Sequence, residues 1–142
     1  MTFSSLVEIF EEPKEFDKLG ILNLSFSESL LRTPNFSDTP HLQRIVLKGC
    51  VSLIEVHPSI GNLKKLSIFL DMENCKNLES LPSSIQMESL ESFNLSGCEK
   101  LGRFPEIKGK MNLLSELFLG HTAIWKLPSS IGRLTPNWDQ FA

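Results

Sequence analysis

The sequence lacks the marks of membrane, secreted and nucleic-acid-binding proteins. None of its apolar runs approaches the roughly 18 residues needed to cross a bilayer. The N-terminal segment has no basic stretch and carries Glu8, Glu11 and Glu12, where a signal peptide stays uncharged. The formal net charge of −3 leaves no excess of Lys and Arg to attract nucleic acid or an anionic membrane. These absences predict a cytoplasmic, or nucleocytoplasmic, protein that binds neither nucleic acid nor a membrane.

Residues for catalysis and for metal or cofactor binding are equally scarce. The three cysteines form no C-x-x-C pair, and the three histidines do not complete a zinc site with them. A Gly-Lys pair at residues 109–110 lacks the spacing of a phosphate-binding loop. Ser37, Asp38 and His41 lie in one short loop, which does not preorganise a triad. We therefore predict no catalytic residue, no metal, no cofactor and no small-molecule substrate.

What the chain has is a repeat. The pattern L-x-x-L-x-L-x-x followed by a small polar residue or cysteine occurs five times, and its last position falls at Ser27, Cys50, Cys75, Cys98 and Thr122, with gaps of 23, 25, 23 and 24 residues. This is the pattern of a leucine-rich repeat. It predicts an α/β solenoid: a leucine-rich-repeat horseshoe segment of about five coils. Short parallel strands should line the concave face, and irregular, 3₁₀ or short helical segments the convex side.

Alternation within each repeat predicts which residues are buried, because successive side chains of a strand point to opposite faces. Strands are expected near residues 21–25, 44–48, 68–73, 92–96 and 116–120. The inward pairs are Leu22/Leu24, Ile45/Leu47, Leu70/Met72, Phe93/Leu95 and Leu117/Leu119. The stretches SIGNL and SSIGRL are expected to form short 3₁₀ helices. The five residues that end the pattern should stack as a structural ladder, with the cysteines as small buried thiols.

The repeat also sets the predicted boundaries. Leucine-rich repeats are assigned to residues 19–134, and residues 135–142 to a truncated C-terminal tail. Residues 1–18 are either the back half of a truncated repeat or an N-terminal capping helix. The third repeat holds one extra residue, which we expect to form a bulge near Ser67, since a slip of one residue would reverse every inward side chain.

The repeats resemble those of plant intracellular nucleotide-binding leucine-rich-repeat disease-resistance receptors, of the Toll/interleukin-1-receptor-type subclass. The residues that carry the resemblance are 24–34, 47–61, 75–85, 95–107 and 122–131. The resemblance implies a non-enzymatic role in immunity, with a pathogen effector, a guarded host protein or the nucleotide-binding domain of a receptor as partner. It also implies a fragment, because the Toll-like and nucleotide-binding domains do not occur in these residues.

The outward strand positions are the predicted protein-binding site. They should form three columns on the concave face, and the residues chosen from them are Arg44, Val46, Lys48, Phe69, Asp71, Glu73, Asn94, Glu116 and Phe118. Two other readings remain open at this point. One is a truncated decoy or non-functional receptor fragment. The other is a secreted leucine-rich-repeat inhibitor or receptor ectodomain, although the signal peptide and flanking disulfides of those proteins do not occur here.

Overall fold

A computed structural model describes residues 20–39, 41–63 and 69–133 of the chain. Seven short strands occur in these ranges: β1 Ile21–Asn23, β2 Arg44–Val46, β3 Phe69–Asp71, β4 Ser84–Ile85, β5 Ser92–Asn94, β6 Glu106–Ile107 and β7 Glu116–Phe118. The larger sheet is parallel, with the order β1-β2-β3-β5-β7, so each coil contributes one strand next to that of the preceding coil. The predicted leucine-rich-repeat solenoid is confirmed.

Register in the larger sheet follows the repeat pattern. The central residues of its strands pair in one line: Leu22, Ile45, Leu70, Phe93 and Leu117. The inward residues that the alternation predicts are buried, apart from Leu119, which is partly buried. Because Arg44 pairs with Phe69, the extra residue of the third repeat does not shift the sheet. The bulge predicted near Ser67 lies outside the described residues, as do the segments 1–18 and 135–142.

The return segments on the other side of each coil take two forms. Residues Phe36–Asp38, Pro58–Asn62 and Ser129–Arg133 are 3₁₀ helices, which confirms the prediction for SIGNL and SSIGRL. The prediction was incomplete for the third and fourth coils, where β4 and β6 form a second, two-stranded parallel sheet.

The two longer 3₁₀ helices differ from the strands of the second sheet at one sequence position. In the longer 3₁₀ helices the isoleucine is followed by glycine, whereas Gln86 and Lys108 follow the isoleucines of β4 and β6. A Cβ at Gly61 would lie 2.7 Å from the Ser84 carbonyl oxygen, so the helical turn packs there only without a side chain. In the third and fourth coils, where Gln86 and Lys108 follow the isoleucine, the backbone is extended and pairs.

A single apolar core runs between the two sides of the coils. The residues after the ladder positions enter it, among them Leu53, Leu78 and Leu101. The rings of Phe93 and Phe104 meet inside it, with centroids 6.0 Å apart and a 49° tilt. Each fully buried side chain of this size contributes about 1.5–3 kcal/mol. Since each coil packs only on its neighbours, this core holds the strands in register.

A left-handed turn ends every strand of the larger sheet. The residue just before each ladder position has a positive φ; these residues are Phe26 (60°), Gly49 (71°), Asn74 (61°), Gly97 (80°) and His121 (58°). Glycine adopts this conformation without cost, and Asn and His do so more often than other residues. The two glycines also make room for their neighbours. A Cβ at Gly49 would overlap the ring of Phe26, and one at Gly97 would overlap Oδ1 of Asn74.

Replacing Gly97 by alanine is therefore expected to destabilise the fold. The Gly97→Ala variant forces a Cβ into a left-handed turn and onto the Asn74 side chain, and its free energy of unfolding should fall by about 1–3 kcal/mol. Urea denaturation followed by circular dichroism measures this. The matched control is Gly102→Ala, where a Cβ would meet nothing within 4 Å. An equal loss in both variants would contradict the assignment of strain to the turn.

Candidate protein-binding face

The sheet brings all nine residues of the predicted site onto one face. Parallel pairing aligns Ile21, Arg44, Phe69, Ser92 and Glu116 in a first column. A second column contains Asn23, Val46, Asp71, Asn94 and Phe118. The ladder of backbone hydrogen bonds continues beyond the strands and aligns Ser25, Lys48, Glu73, Ser96 and Gly120 in a third. Neighbouring coils are about 4.8 Å apart, so the columns form a dense array of side chains.

Exposure differs along the columns, and the expectation that every outward position is exposed is wrong for two residues. Arg44 and Glu116 are exposed and Phe69 is half-buried, but Ser92 is only 7% exposed and Asp71 only 8%. Both are short side chains in the middle of the sheet. Ser92 is a small residue that lies between the larger Phe69 and Glu116 in its column. Burial here depends on neighbours in other coils.

Three residues of the second column have a local structural role that the sequence analysis missed. The Oδ1 atoms of Asn23, Asp71 and Asn94 accept hydrogen bonds from the backbone N–H groups two residues later, at 3.0, 2.9 and 2.9 Å. Asn and Asp favour such turns, and their recurrence two residues before a turn was the available signal. These side chains end the strands, and because their Oδ1 atoms already accept hydrogen bonds they are less free than their neighbours to bind a ligand.

A polar cluster occupies the middle of the face. Glu73 Oε2 lies 3.6 Å from Lys48 Nζ, and Glu73 Oε1 accepts a hydrogen bond of 3.0 Å from Asn94 Nδ2. Burial raises the pKa of the Asp71 carboxyl, and the nearby Glu73 carboxylate raises it further. The Glu73 N–H and the Lys48 ammonium act in the opposite direction. Burial is the largest of these effects, so the pKa of Asp71 is raised from its ordinary value overall.

The ladder residues lie just beneath the edge of this face. The thiols of Cys50, Cys75 and Cys98 donate hydrogen bonds, each 3.1 Å long, to the carbonyl oxygens of Leu24, Leu47 and Met72 in the preceding coil. All three cysteines are buried and free of disulfides. Each of these carbonyls also accepts a backbone N–H, from Ser27, Cys50 and Cys75 respectively, so the thiol supplies its second hydrogen bond.

The other two ladder positions carry hydroxyls. Ser27 is buried, and the Thr122 hydroxyl donates to the Leu119 carbonyl at 2.9 Å.

Within residues 20–39, 41–63 and 69–133, no three His, Cys, Asp or Glu side chains are grouped as metal ligands would be. The helices of these same ranges include none with the length and apolar content of a membrane span.

Comparison with known proteins identifies the relatives of the chain. It is 38% identical over 135 residues to disease resistance protein RPP2A of Arabidopsis thaliana, an alignment that covers 95% of this chain and 10% of that protein. TMV resistance protein N of Nicotiana glutinosa is 38% identical over 128 residues, which are 90% of this chain and 11% of that protein. This chain is a leucine-rich-repeat segment related to plant disease-resistance proteins. The resemblance drawn from the repeats is confirmed.

The extent of these matches is limited. The leucine-rich-repeat segment spans about a tenth of the length of these curated relatives. No family model matches it. Among solved structures, the leucine-rich repeat domain of the type III effector XopL aligns with a TM-score of 0.46 and 15% sequence identity, covering 89% of this chain and 69% of that domain.

Neutralising Asp71 is expected to stabilise the segment at neutral pH. In the Asp71→Asn variant Oδ1 still accepts the Glu73 N–H, as Asn94 does at the same position one coil later, but the buried charge is gone. The folded-state pKa of Asp71 is raised, so the native state binds the proton more tightly than the unfolded chain does. Wild type therefore loses stability as pH rises from about 4, the unfolded pKa, through the folded pKa. The Asp71→Asn variant has no carboxyl at this position, so it does not lose this stability as pH rises.

Thermal melts of both proteins from pH 3.5 to 8 measure the difference. The melting temperature of Asp71→Asn should match that of wild type at the acid end and exceed it by a few degrees, about 2–5 °C, at pH 7. A variant that melts lower than wild type at pH 7 would show that the carboxylate is a net stabilising group.

Two of the ladder thiols, Cys50 and Cys75, are expected to resist alkylation in the folded protein. Burial raises the pKa of the Cys50 thiol, and hydrogen bonding with Cys98 together with burial raises that of Cys75. The reactive thiolate is therefore scarce at pH 8. Mass spectrometry after iodoacetamide treatment should find both residues labelled at least about 100-fold more slowly in buffer than in 6 M guanidinium. Equal rates in the two conditions would refute the ladder geometry.

Proposed function

We propose that the concave face of this segment binds a protein ligand in plant defence. The ligand is a pathogen effector, a guarded host protein, or the nucleotide-binding domain of a receptor that contains the segment. The segment acts by binding, without catalysis, in the cytoplasm. Its nine candidate contact residues are Arg44, Val46, Lys48, Phe69, Asp71, Glu73, Asn94, Glu116 and Phe118.

One observation carries this proposal: the strand register fixes chemically different side chains in an ordered array. Their backbone is held by parallel pairing on both sides and by the core beneath. A ligand that docks here pays little for ordering the backbone, which favours affinity. The scaffold is common to every coil, whereas the outward residues differ from coil to coil, as recognition requires.

Apolar and charged residues have different roles on this face: the former supply binding energy and the latter orient the ligand. Phe69 and Phe118 are half-buried, so each presents part of an aromatic ring on a fixed base. Aromatic residues of this kind are enriched among the few that dominate binding energy. Arg44 and Glu116 are exposed in the first column and three strands apart, and their opposite charges favour one orientation of a ligand.

The relatives supply the biological setting. Their names describe disease resistance, and one describes resistance to TMV. The segment aligns with about a tenth of each of them, in a chain built of repeats throughout its described residues. Solenoid repeats commonly present extended concave surfaces for binding. These points support an interaction module in immunity.

The test compares wild type with a variant that lacks both aromatic anchors. The immobilised full chain and its Phe69→Ala/Phe118→Ala variant are exposed to extract from pathogen-challenged leaves, and recovered proteins are quantified by mass spectrometry. A true ligand should be recovered about tenfold less by the variant. The ligand, expressed alone, is then titrated by calorimetry, where its Kd should rise by a similar factor.

The matched control is Leu113→Ala, which removes an exposed apolar side chain outside the larger sheet. It should recover the ligand as wild type does. Arg44→Glu provides a second variant. Because Arg44 is exposed, this substitution should leave the folding of the chain intact. Equal recovery by all variants, or no protein enriched over bare resin, would contradict binding through the concave face.

A further inference from the structure

An open groove lies outside the concave face, on the flank that follows the ladder positions. It has a volume of about 840 Å³ and is lined by three successive coils, through residues 79–83, 102–106 and 125–128, together with Lys100. This volume is within the range of about 300–1,000 Å³ that is common for ligand sites. None of the nine residues of the concave site lines it.

An exposed tryptophan forms one wall of this groove. The side chain of Trp125 is 81% exposed, more than that of any other large apolar residue in the described ranges. The repeat places it next to Gly102, where even a Cβ would meet nothing within 4 Å. The indole therefore stands beside an empty position, and this leaves room for an apolar side chain from outside.

Exposed cations line the same groove. One position per coil, two residues after the leucine or isoleucine that enters the core, holds Arg32, Glu55, Ser80, Arg103 and Lys126. In the first coils Arg32 Nε and Glu55 Oε1 form an ion pair of 2.6 Å, and backbone bridges align Arg32, Glu55 and Ser80. The next two coils carry two cations in succession, and neither joins an ion pair within the described residues.

The charge of the groove does not reflect that of the chain. Lys100, Arg103 and Lys126 are exposed around it, although the chain as a whole has a formal charge of −3. Two carboxylates also line it, Glu79 and Glu106, and Glu106 Oε2 accepts a hydrogen bond of 2.8 Å from Ser130 Oγ. Like charges on adjacent coils repel each other, and an anion between them relieves this.

We propose that this flank groove is a second docking surface, and that it binds an acidic peptide segment of a partner protein. An apolar side chain of the peptide packs against Trp125 above Gly102, and carboxylates on either side pair with Arg103 and Lys126. An extended peptide sets alternate side chains about 7 Å apart, a spacing that two long cationic side chains on adjacent coils can reach. Binding here is independent of a ligand on the concave face.

The experiment uses a fluorescein-labelled nonapeptide made of three Asp-Leu-Asp units, titrated with the full chain and followed by fluorescence anisotropy. We expect saturable binding that weakens about tenfold in the Arg103→Glu/Lys126→Glu variant and about fivefold in Trp125→Ala. The same peptide with asparagine in place of aspartate should bind at least about tenfold more weakly. These positions are exposed, and circular dichroism checks that each variant folds.

Two controls make the result specific. The Lys108→Glu/Lys110→Glu variant changes the net charge by the same amount at exposed positions that do not line this groove, and it should bind as wild type does. Phe69→Ala/Phe118→Ala should also leave this binding unchanged. Failure of wild type to bind the acidic peptide, equal loss in the Lys108 and Lys110 control, or tighter binding of a single-stranded oligonucleotide would each overturn the proposal.

Discussion

The in-register parallel pairing of successive coils is the constraint on which the rest of the structure depends. Leu47 N donates to Asp71 O at 2.7 Å and Met72 N donates to Asn94 O at 2.8 Å, so the ladder continues past the ends of the strands. A shift of one residue in any coil would move its leucines to the outer surface. The same bonds that bury the core therefore also decide which side chains meet in each outer column.

Much of this arrangement can be predicted from the sequence, because the period of the repeat fixes the pairing. Leu22, Ile45 and Leu70 are buried and adjacent as alternation requires. The strands end about two residues earlier than predicted, and the reason is local. The Asn23 side chain caps the N–H of Ser25, and the backbone then turns through a positive φ at Phe26. Side-chain capping competes with strand extension, and a hydrophobic pattern contains no information about it.

Other features depend on contacts between coils, which one sequence read linearly does not contain. Asp71 is buried on the central strand, between Val46 and Asn94 of the neighbouring coils, although its residue type and outward position both predict exposure. The second sheet, β4 with β6, is formed by pairing between the third and fourth coils, and Gly61 of the second coil approaches the Ser84 carbonyl at its edge. The flank groove likewise combines three coils, with the exposed Trp125 of one coil beside the open space at Gly102 of the preceding coil.

The two surfaces of the segment differ in how they would select a partner. In the middle of the concave face the polar groups already have partners: Glu73 is bonded to Asn94 and near Lys48, and Asp71 accepts a backbone N–H. Arg44 and Glu116 are exposed on the same face and carry opposite charges. A ligand there gains from shape and aromatic contact, since displacing those bonds costs about as much as it returns. On the flank, Arg103 and Lys126 have no such partners within the described residues, so charge dominates. Salt should therefore weaken binding on the flank far more than on the concave face, because exposed charges are screened within about 8–10 Å at physiological ionic strength.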